Sequence, residues 1–288
     1  MRKNLTLNIL VALNFTIASI IFILGLNSIF PDQADYLALA DGVLNGRFSA
    51  YVDLENYYPA PLRTPAYPLF IAFGLTLFNN ILAVQLLQLA LYFCTILLSL
   101  RIIQKLTTLK NPLYIFLVLS SVCIQVPYYA ALISSEMLTI FLVILILYLL
   151  FNWNVKSVFT NFLTGITFAI LAMTKPAFIL LPFFLCVVVL IISRQHLKNY
   201  IFICIFFMIG AMPFAMWNQA NHGVFKPTTI EGMATIAHTG YWNFKLPAGY
   251  MLEFDDYNAA IVSDFTNPFI YSDEVYLKNI SIYDKPMM

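Results

Sequence analysis

Long apolar runs separated by short polar segments dominate this chain. A membrane-spanning helix needs about 20 mostly apolar residues to cross a hydrocarbon layer of roughly 30 Å. Backbone groups in lipid must bond within their own segment, so such runs are expected to be helical. They predict seven spans, at residues 7–29, 80–104, 111–131, 137–153, 157–174, 176–193 and 199–219. Pro176 and Pro182 predict a kink in the sixth span, because proline removes a backbone donor.

The first apolar run has two interpretations. Arg2 and Lys3 precede it, a pattern that secretory signal peptides share with uncleaved first spans. The run is long for a signal peptide, and no small-x-small cleavage site precedes Pro31. We therefore favour an uncleaved first span.

Two shorter stretches between the first two spans predict helices that lie on the membrane surface. Residues 66–78 are too few to cross, and a crossing there would turn the basic residues of later loops outward. Residues 33–46 are amphipathic, with apolar side chains on one helical face. That face comprises Tyr36, Leu37, Ala40, Val43 and Leu44. The outer loop 31–79 therefore predicts two interfacial helices joined by a tyrosine-rich stretch.

Composition agrees with a membrane protein. The chain is 61% hydrophobic and 10% charged with a mean hydropathy of +0.83, whereas soluble proteins average about 25% charged residues. It has no Gly-rich phosphate loop, zinc-ligand spacing or basic nucleic-acid patch. The cysteines fall inside predicted spans and imply no disulfide framework. We expect an all-α polytopic membrane protein with no nucleic-acid partner.

Charge placement predicts the orientation. With a cytoplasmic N-terminus, eight of the 15 basic residues lie in cytoplasmic segments and all 14 acidic residues lie on the other side. Lys and Arg are enriched in cytoplasmic loops of membrane proteins. We expect a multi-pass protein of the plasma (inner) membrane, with a transmembrane module at residues 1–219 and an extracytoplasmic segment at 220–288.

Charged side chains on the predicted outer face are candidates for chemistry. Asp35, near the start of a surface helix, can accept a proton from a hydroxyl. Arg63, two residues before a proline, is a forked donor suited to phosphate. Glu136 opens the fourth span, and Lys175 lies at the outer turn between the fifth and sixth. Two acids and two cations at one membrane face suit a reaction on a lipid-linked phosphate.

Each of these residues also has a plain structural interpretation. Asp32 and Asp35 can cap a surface helix and favour its dipole. Ser134 can cap the fourth span, with the acid two residues later in its first turn. Arg63 and Lys175 can be interfacial anchors that extend to lipid headgroups.

The order of these residues resembles a known family. Asp35-Tyr36-Leu37-x-Leu39-Ala40, followed by Arg63-Thr64-Pro65-x-Tyr67-Pro68, looks like the first outer loop of GT-C membrane glycosyltransferases. The most similar group is that of the dolichyl-phosphate-mannose protein mannosyltransferases and aminoarabinose-transferase-like proteins of bacteria. Three later motifs follow in the family's order: Ser134-x-Glu136, Thr174-Lys175-Pro176 and Pro213-Phe214-x-x-Trp217-Asn218.

The resemblance implies an activity and assigns roles. Such enzymes move a sugar from a polyprenyl-phosphate carrier to a lipid, protein or glycan acceptor on the outer face. It implies catalytic roles for Asp35 and Glu136, with Asp35 as the base or the group that orients the acceptor. It implies that Arg63 and Lys175 bind the carrier phosphate. Weaker substrate-binding roles fall on two further positions, Tyr67 and Asn218.

The resemblance also bears on cofactors and chain length. Metal dependence varies among these folds, so a divalent ion stays open and we predict no cofactor. Family members continue with further spans after the large outer segment, so we expect this chain to be an N-terminal module or a truncated product.

Two rival functions remain open. One is a flippase or transporter of lipid-linked sugars, and the other is an inactive truncated module. Coupled transporters usually hold ionisable residues near the bilayer midplane. The predicted spans hold uncharged Gln85, Gln88 and Gln125 there instead, which favours surface chemistry.

Overall fold

The computed structural model describes residues 5–28, 30, 32–49, 60, 63–151, 157–192 and 194–228. All regular secondary structure within these residues is helical. The helices are α1 (Leu5–Gly25), α2 (Gln33–Leu44), α3 (Ala66–Phe78), α4 (Ile81–Leu106), α5 (Asn111–Val122), α6 (Gln125–Ala131), α7 (Glu136–Phe151), α8 (Val158–Thr174), α9 (Leu181–Ile192) and α10 (Leu197–His222). Two 3-10 turns, Pro176–Phe178 and Arg194–His196, precede α9 and α10.

Some predictions fall outside the described residues. They concern Arg2, Lys3 and Lys156, the tyrosine-rich stretch 51–58, and the extracytoplasmic segment beyond residue 228. The predicted boundary at residue 219 lies inside α10, which continues to His222.

Helix length identifies three candidate membrane spans in the described residues. They are α1, α4 and the segment Arg194–His222, which includes α10. The pair α5 and α6 gives a fourth candidate if it acts as one span, although it is bent by 55°. Each predicted span coincides with a helix or a helix pair. The spans assigned to the shorter helices α7, α8 and α9 stay predictions.

Three prolines, Pro127, Pro176 and Pro182, lie just after breaks in two of the apolar runs. The predicted kink in the sixth span is present as a break, with the 3-10 turn Pro176–Phe178 followed by α9, whose second residue is Pro182. Proline is tolerated in the first helical turn, where its missing N–H has no intrahelical partner to lose. Pro127 occupies the same kind of position in α6, after a break that the apolar pattern did not predict.

A tight turn joins α3 to α4. Asn79 ends α3 in a left-handed conformation with φ of 49°, which asparagine adopts more readily than most residues. Asn80 then caps α4, because its side-chain oxygen accepts a hydrogen bond from the Leu82 N–H at 2.9 Å. The turn sets α3 alongside the first turns of α4.

The two short helices α2 and α3 form over the predicted residues and pack together. Tyr36, Leu39 and Ala40 of α2 are buried, and Tyr67 and Ile71 of α3 are almost completely enclosed. Leu44, also on the predicted apolar face, is 48% exposed within the protein. At 100° per residue it lies roughly 80° around the helix from Tyr36, at the rim of the buried face.

A close contact between α8 and α10 fixes the position of α8. A Cβ added at Gly165 would lie 2.6 Å from the Ile203 carbonyl oxygen of α10. Only a residue without a side chain permits this approach between the two backbones. The buried residues around the contact, Phe168 and Phe207, belong to the same apolar core as Tyr36 and Tyr67. The end of α8 is therefore held beside α3, against which α2 packs.

Candidate functional site

Asp32 occupies the N-cap position of α2 but makes no capping hydrogen bond. Its Oδ1 instead lies 2.9 Å from the Nη2 of Arg63. The same nitrogen donates to Asp35 Oδ2 at 3.0 Å. Residues three apart on a helix face the same side, so both carboxylates meet one guanidinium. The capping interpretation of Asp32 is therefore wrong for this structure.

Arg63 is held between acids and an aromatic ring. Its guanidinium carbon lies 5.2 Å from the centre of the Tyr36 ring, a cation–π distance. Burial lowers the pKa of Arg63, but Tyr36, Asp32 and Asp35 together raise that pKa above its ordinary value. Arg63 is therefore a permanent cation. Among the described residues its Nε has no hydrogen-bond partner.

Tyr36 and Tyr67 pack together beneath the Arg63 guanidinium. The Tyr36 and Tyr67 rings meet edge to face with centroids 4.7 Å apart. Burial raises the pKa of the Tyr36 phenol, although the Ser135 side chain and the charge of Arg63 act against the rise. Burial raises the pKa of Tyr67 further, and its hydroxyl donates to Gln88 Oε1 at 2.8 Å. Both phenols are neutral at neutral pH.

Glu136 and Lys175 form a second ion pair. Lys175 Nζ lies 2.8 Å from Glu136 Oε1, and the two side chains are 38% and 22% exposed. Glu136 is the first residue of α7 and Lys175 directly follows α8. Because α7 and α8 run in opposite directions, the start of one meets the end of the other. Both cations predicted as possible lipid anchors thus contact acids within the protein.

Glu136 also has an oxygen that is not used. The Ser134 hydroxyl faces the Glu136 carboxylate. Neither Ser134 Oγ nor Glu136 Oε2 has a hydrogen-bond partner of good geometry among the described residues, although both atoms are buried. An unpaired buried polar atom is costly, on the order of 1–3 kcal/mol.

Tyr36 connects the two ion pairs. The side chain of Ser135, the residue before Glu136, faces the Tyr36 hydroxyl and lowers its pKa. Asp32, Arg63 and Glu136 all act electrostatically on the same phenol. The residues of the two ion pairs, Asp32, Asp35, Arg63, Glu136 and Lys175, therefore form one group, which we call the ion-pair cluster. It contains three carboxylates and two cations and so carries one surplus negative charge.

The two weaker sequence-predicted positions have structural contacts. Tyr67 is 1% exposed, and its hydroxyl is occupied by Gln88. Asn218 is equally buried, and its amide donates to the carbonyl oxygens of Lys226 and Thr228, which closes the turn after α10. In the part of the chain that the structure describes, none of the hydrogen bonds of Asn218 goes to the ion-pair cluster. Substrate binding by either residue stays a prediction.

Three residues in or beside the ion-pair cluster were not predicted as site residues from the sequence. They are Asp32, Ser135 and Gln88. The sequence could have indicated Gln88, since a glutamine inside an apolar run must find a buried hydrogen-bond partner. It indicated Asp32 more weakly, because two acids three residues apart can share one cation.

No metal centre is formed by the described side chains, in which no three His, Cys, Asp or Glu residues gather at ligand distance. The prediction that no cofactor is needed stays a prediction.

The chain matches no protein family model, and it has no significant similarity to a curated protein or to a solved structure. The functional argument therefore depends on the sequence motifs and on the geometry of the ion-pair cluster.

Proposed function

We propose that this chain is a membrane glycosyltransferase, or the N-terminal module of one, that moves a sugar from a polyprenyl-phosphate carrier to a lipid, protein or glycan acceptor. One observation carries the proposal. Asp35, Arg63, Glu136 and Lys175 come from four separate parts of the chain, yet they form two ion pairs that Tyr36 joins in one cluster. Acids and cations in one small site are the groups that transfer from a phosphate carrier needs.

The unpaired atoms of the cluster suit a sugar phosphate. Arg63 Nε is a donor without an acceptor, and Glu136 Oε2 is an acceptor without a donor. A phosphate oxygen satisfies the first and a sugar hydroxyl satisfies the second. Both atoms are shielded from water in this arrangement, so the ligand reaches them after a side-chain shift. Gaining a partner removes the cost of leaving each atom unpaired.

The proposed reaction uses these residues as follows. The oxygen of the acceptor hydroxyl attacks the anomeric carbon of the sugar, and its proton passes to Asp35. The bond between that carbon and the phosphate oxygen breaks, and its electron pair leaves with the polyprenyl phosphate. Arg63 and Lys175 stabilise the charge that develops on the departing phosphate. Glu136 orients the sugar through its unpaired oxygen.

Charge distribution supports placing the ion-pair cluster outside the cytoplasm. The cluster lies where α7 begins and α8 ends, beside the first turns of α4. Arg101 and Lys105 lie in the last turns of α4, at its other end. Because cytoplasmic ends are the basic ones, we propose that the cluster faces outward and that the N-terminus is cytoplasmic.

A transfer assay tests the proposal. The full chain is reconstituted in vesicles and offered a panel of polyprenyl-phosphate sugars with lipid and peptide acceptors. We expect Asp35→Asn to lower turnover by about 100-fold or more, the usual contribution of a general base. Asp41→Asn is the matched control, because Asp41 is an exposed acid on the same helix that lies outside the cluster.

Unchanged sugar transfer by Asp35→Asn would remove Asp35 from the mechanism. Transbilayer movement of lipid-linked sugar without transfer would favour the flippase instead. A folded chain that does neither would favour the inactive module.

A further inference from the structure

The chain interrupts its helical backbone between α6 and α7, beside the ion-pair cluster. The last carbonyls of a helix have no intrahelical partner and need another donor when buried. Gln88 of α4 supplies it: its Nε2 donates to the carbonyl oxygens of Ala130 at 3.1 Å and Leu132 at 2.6 Å. One side-chain amide thus satisfies two carbonyls at the α6 end of the break.

The same amide also holds Tyr67. The Tyr67 hydroxyl donates to Gln88 Oε1 at 2.8 Å, and both side chains are at most 1% exposed. Backbone carbonyls can only accept, so Nε2 must face them and Oε1 must face the hydroxyl. Both N–H groups and the oxygen of Gln88 are therefore used, which sets the side chain in one orientation.

Each end of this connection leads to one half of the ion-pair cluster. Tyr67 packs against Tyr36, which lies beneath Arg63. From Leu132 the backbone reaches Glu136 four residues later, and the N–H of Ser134 donates back to the Leu132 carbonyl at 3.0 Å. Gln88 thus contacts Tyr67, which packs beneath the Asp35–Arg63 pair, and the backbone that leads to the Glu136–Lys175 pair.

We propose that Gln88 is a positioning residue that sets the placement of the Asp35–Arg63 pair relative to the Glu136–Lys175 pair. It does not touch substrate; it acts through Tyr67 and through the backbone that leads into α7. As a statement about sugar transfer, the inference rests on the proposed function. Misplacement of reacting groups by about 1 Å lowers turnover strongly, so the placement itself is the expected contribution of Gln88.

Gln85 offers a matched control on the same helix. It lies three residues earlier, and its Nε2 donates to the Ala131 carbonyl and, at 3.4 Å, to the Leu26 carbonyl. It therefore holds the same break, but within the described residues it makes no hydrogen bond to Tyr67. Methionine has nearly the shape of glutamine without its hydrogen bonds, so Gln88→Met and Gln85→Met remove comparable bonds.

The first measurement is steady-state kinetics of the full chain in vesicles with a polyprenyl-phosphate sugar that the unmodified chain uses. We expect Gln88→Met to lower kcat about tenfold with little change in KM for the carrier. Gln85→Met should stay within about twofold of the unmodified kcat. Tyr67→Phe should reproduce Gln88→Met, and combining the two should add little, because both remove the same connection.

The second measurement does not require transfer activity. Phenylglyoxal modifies accessible arginines, and mass spectrometry of the peptides reports the rate at each one. We expect Gln88→Met and Tyr67→Phe to raise the rate at Arg63 about threefold or more relative to exposed Arg47. Gln85→Met should leave that ratio unchanged.

The two measurements separate the two claims. If the unmodified chain transfers no sugar, the proposed function fails and the ratio at Arg63 alone decides whether Gln88 positions that residue. If Gln88→Met does not fold, Tyr67→Phe gives the decision, because it removes one hydroxyl. Unchanged modification of Arg63 in Tyr67→Phe, or equal effects of Gln85→Met and Gln88→Met, would overturn the proposal.

Discussion

The guanidinium of Arg63 donates to the carboxylate of Asp35 across 3.0 Å, although 28 residues separate the two along the chain. The contact joins α2 to the segment that enters α3. The same nitrogen also meets Asp32, so a phosphate competes with two carboxylates for Arg63. That competition leads to the first two predictions.

Removing Arg63 should weaken use of the carrier. We expect Arg63→Ala to raise KM for the polyprenyl-phosphate donor about tenfold, since a charged hydrogen bond to phosphate is lost. Arg63→Lys should be intermediate, because lysine keeps the charge without the fork. The measurement is the dependence of transfer rate on donor concentration, and an unaltered dependence in Arg63→Ala would contradict the assignment.

Neutralising Asp32 should have the opposite effect. In Asp32→Asn one of the two anions that occupy Arg63 Nη2 is gone, so the donor phosphate binds with less competition. We expect KM for the donor to fall about threefold, with kcat nearly unchanged because Asp35 remains. A higher KM in this variant would mean that Asp32 holds Arg63 in place for the carrier.

Exchanging the charges of the second pair should separate stability from activity. Glu136→Lys and Lys175→Glu alone each place like charges together and should lower the temperature of unfolding in detergent. The double exchange should recover most of that loss, which is about 1 kcal/mol for a partly exposed pair. Sugar transfer should stay low, because position 136 then carries the cation and position 175 the carboxylate. Full activity of the double exchange would show that the positions of the two charges do not matter.

Alkaline pH should weaken the folded state through the buried phenols. Burial raises the pKa of Tyr36 and raises the pKa of Tyr67 further. A group whose pKa is raised on folding contributes stability below its unfolded pKa and loses it as pH rises above that value. The unfolding temperature should therefore hold steady from about pH 7 to 9.5 and fall above about pH 10. Tyr67→Phe should flatten the fall more than Tyr36→Phe, and a steeper fall in either variant would contradict this origin.

The contact between α8 and α10 should not tolerate a side chain at Gly165. Gly165→Ala puts a Cβ 2.6 Å from the Ile203 carbonyl oxygen and from the Phe206 Cβ. We expect a loss of about 1–3 kcal/mol of unfolding free energy, as in other overpacked cores. Phe159→Ala, at a position 66% exposed on the same helix, is the control and should change stability little. Equal stability of both variants would mean that the two helices can separate at no cost.

Apolar run length predicted the helices well because it reports a property of each segment by itself. The predicted helices at 33–46 and 66–78 correspond to Gln33–Leu44 and Ala66–Phe78. The break before α6 lies inside one uniform apolar run, so run length could not indicate it. The carbonyls at the other end of α6 are held by Gln85 and Gln88 of α4, and run length cannot indicate such a contact with another helix either.

The candidate site shows the same division. Residue chemistry selected Asp35, Arg63, Glu136 and Lys175, and the structure places all four in one cluster. Residue chemistry could not predict that Asp32 pairs with Arg63, because a carboxylate at a helix start serves equally well as a cap or as half of an ion pair. Only the position of Arg63 decides between the two.

In the proposed transfer reaction, the surplus carboxylate of the ion-pair cluster has a consequence for the end of each cycle. While the sugar is attached, its hydroxyl contacts help to hold the carrier in place. Once the sugar has gone and Asp35 has released the acceptor's proton, the spent carrier carries an extra negative charge beside a site that is again negative. Repulsion at short range then speeds its departure, so the charge imbalance promotes product release.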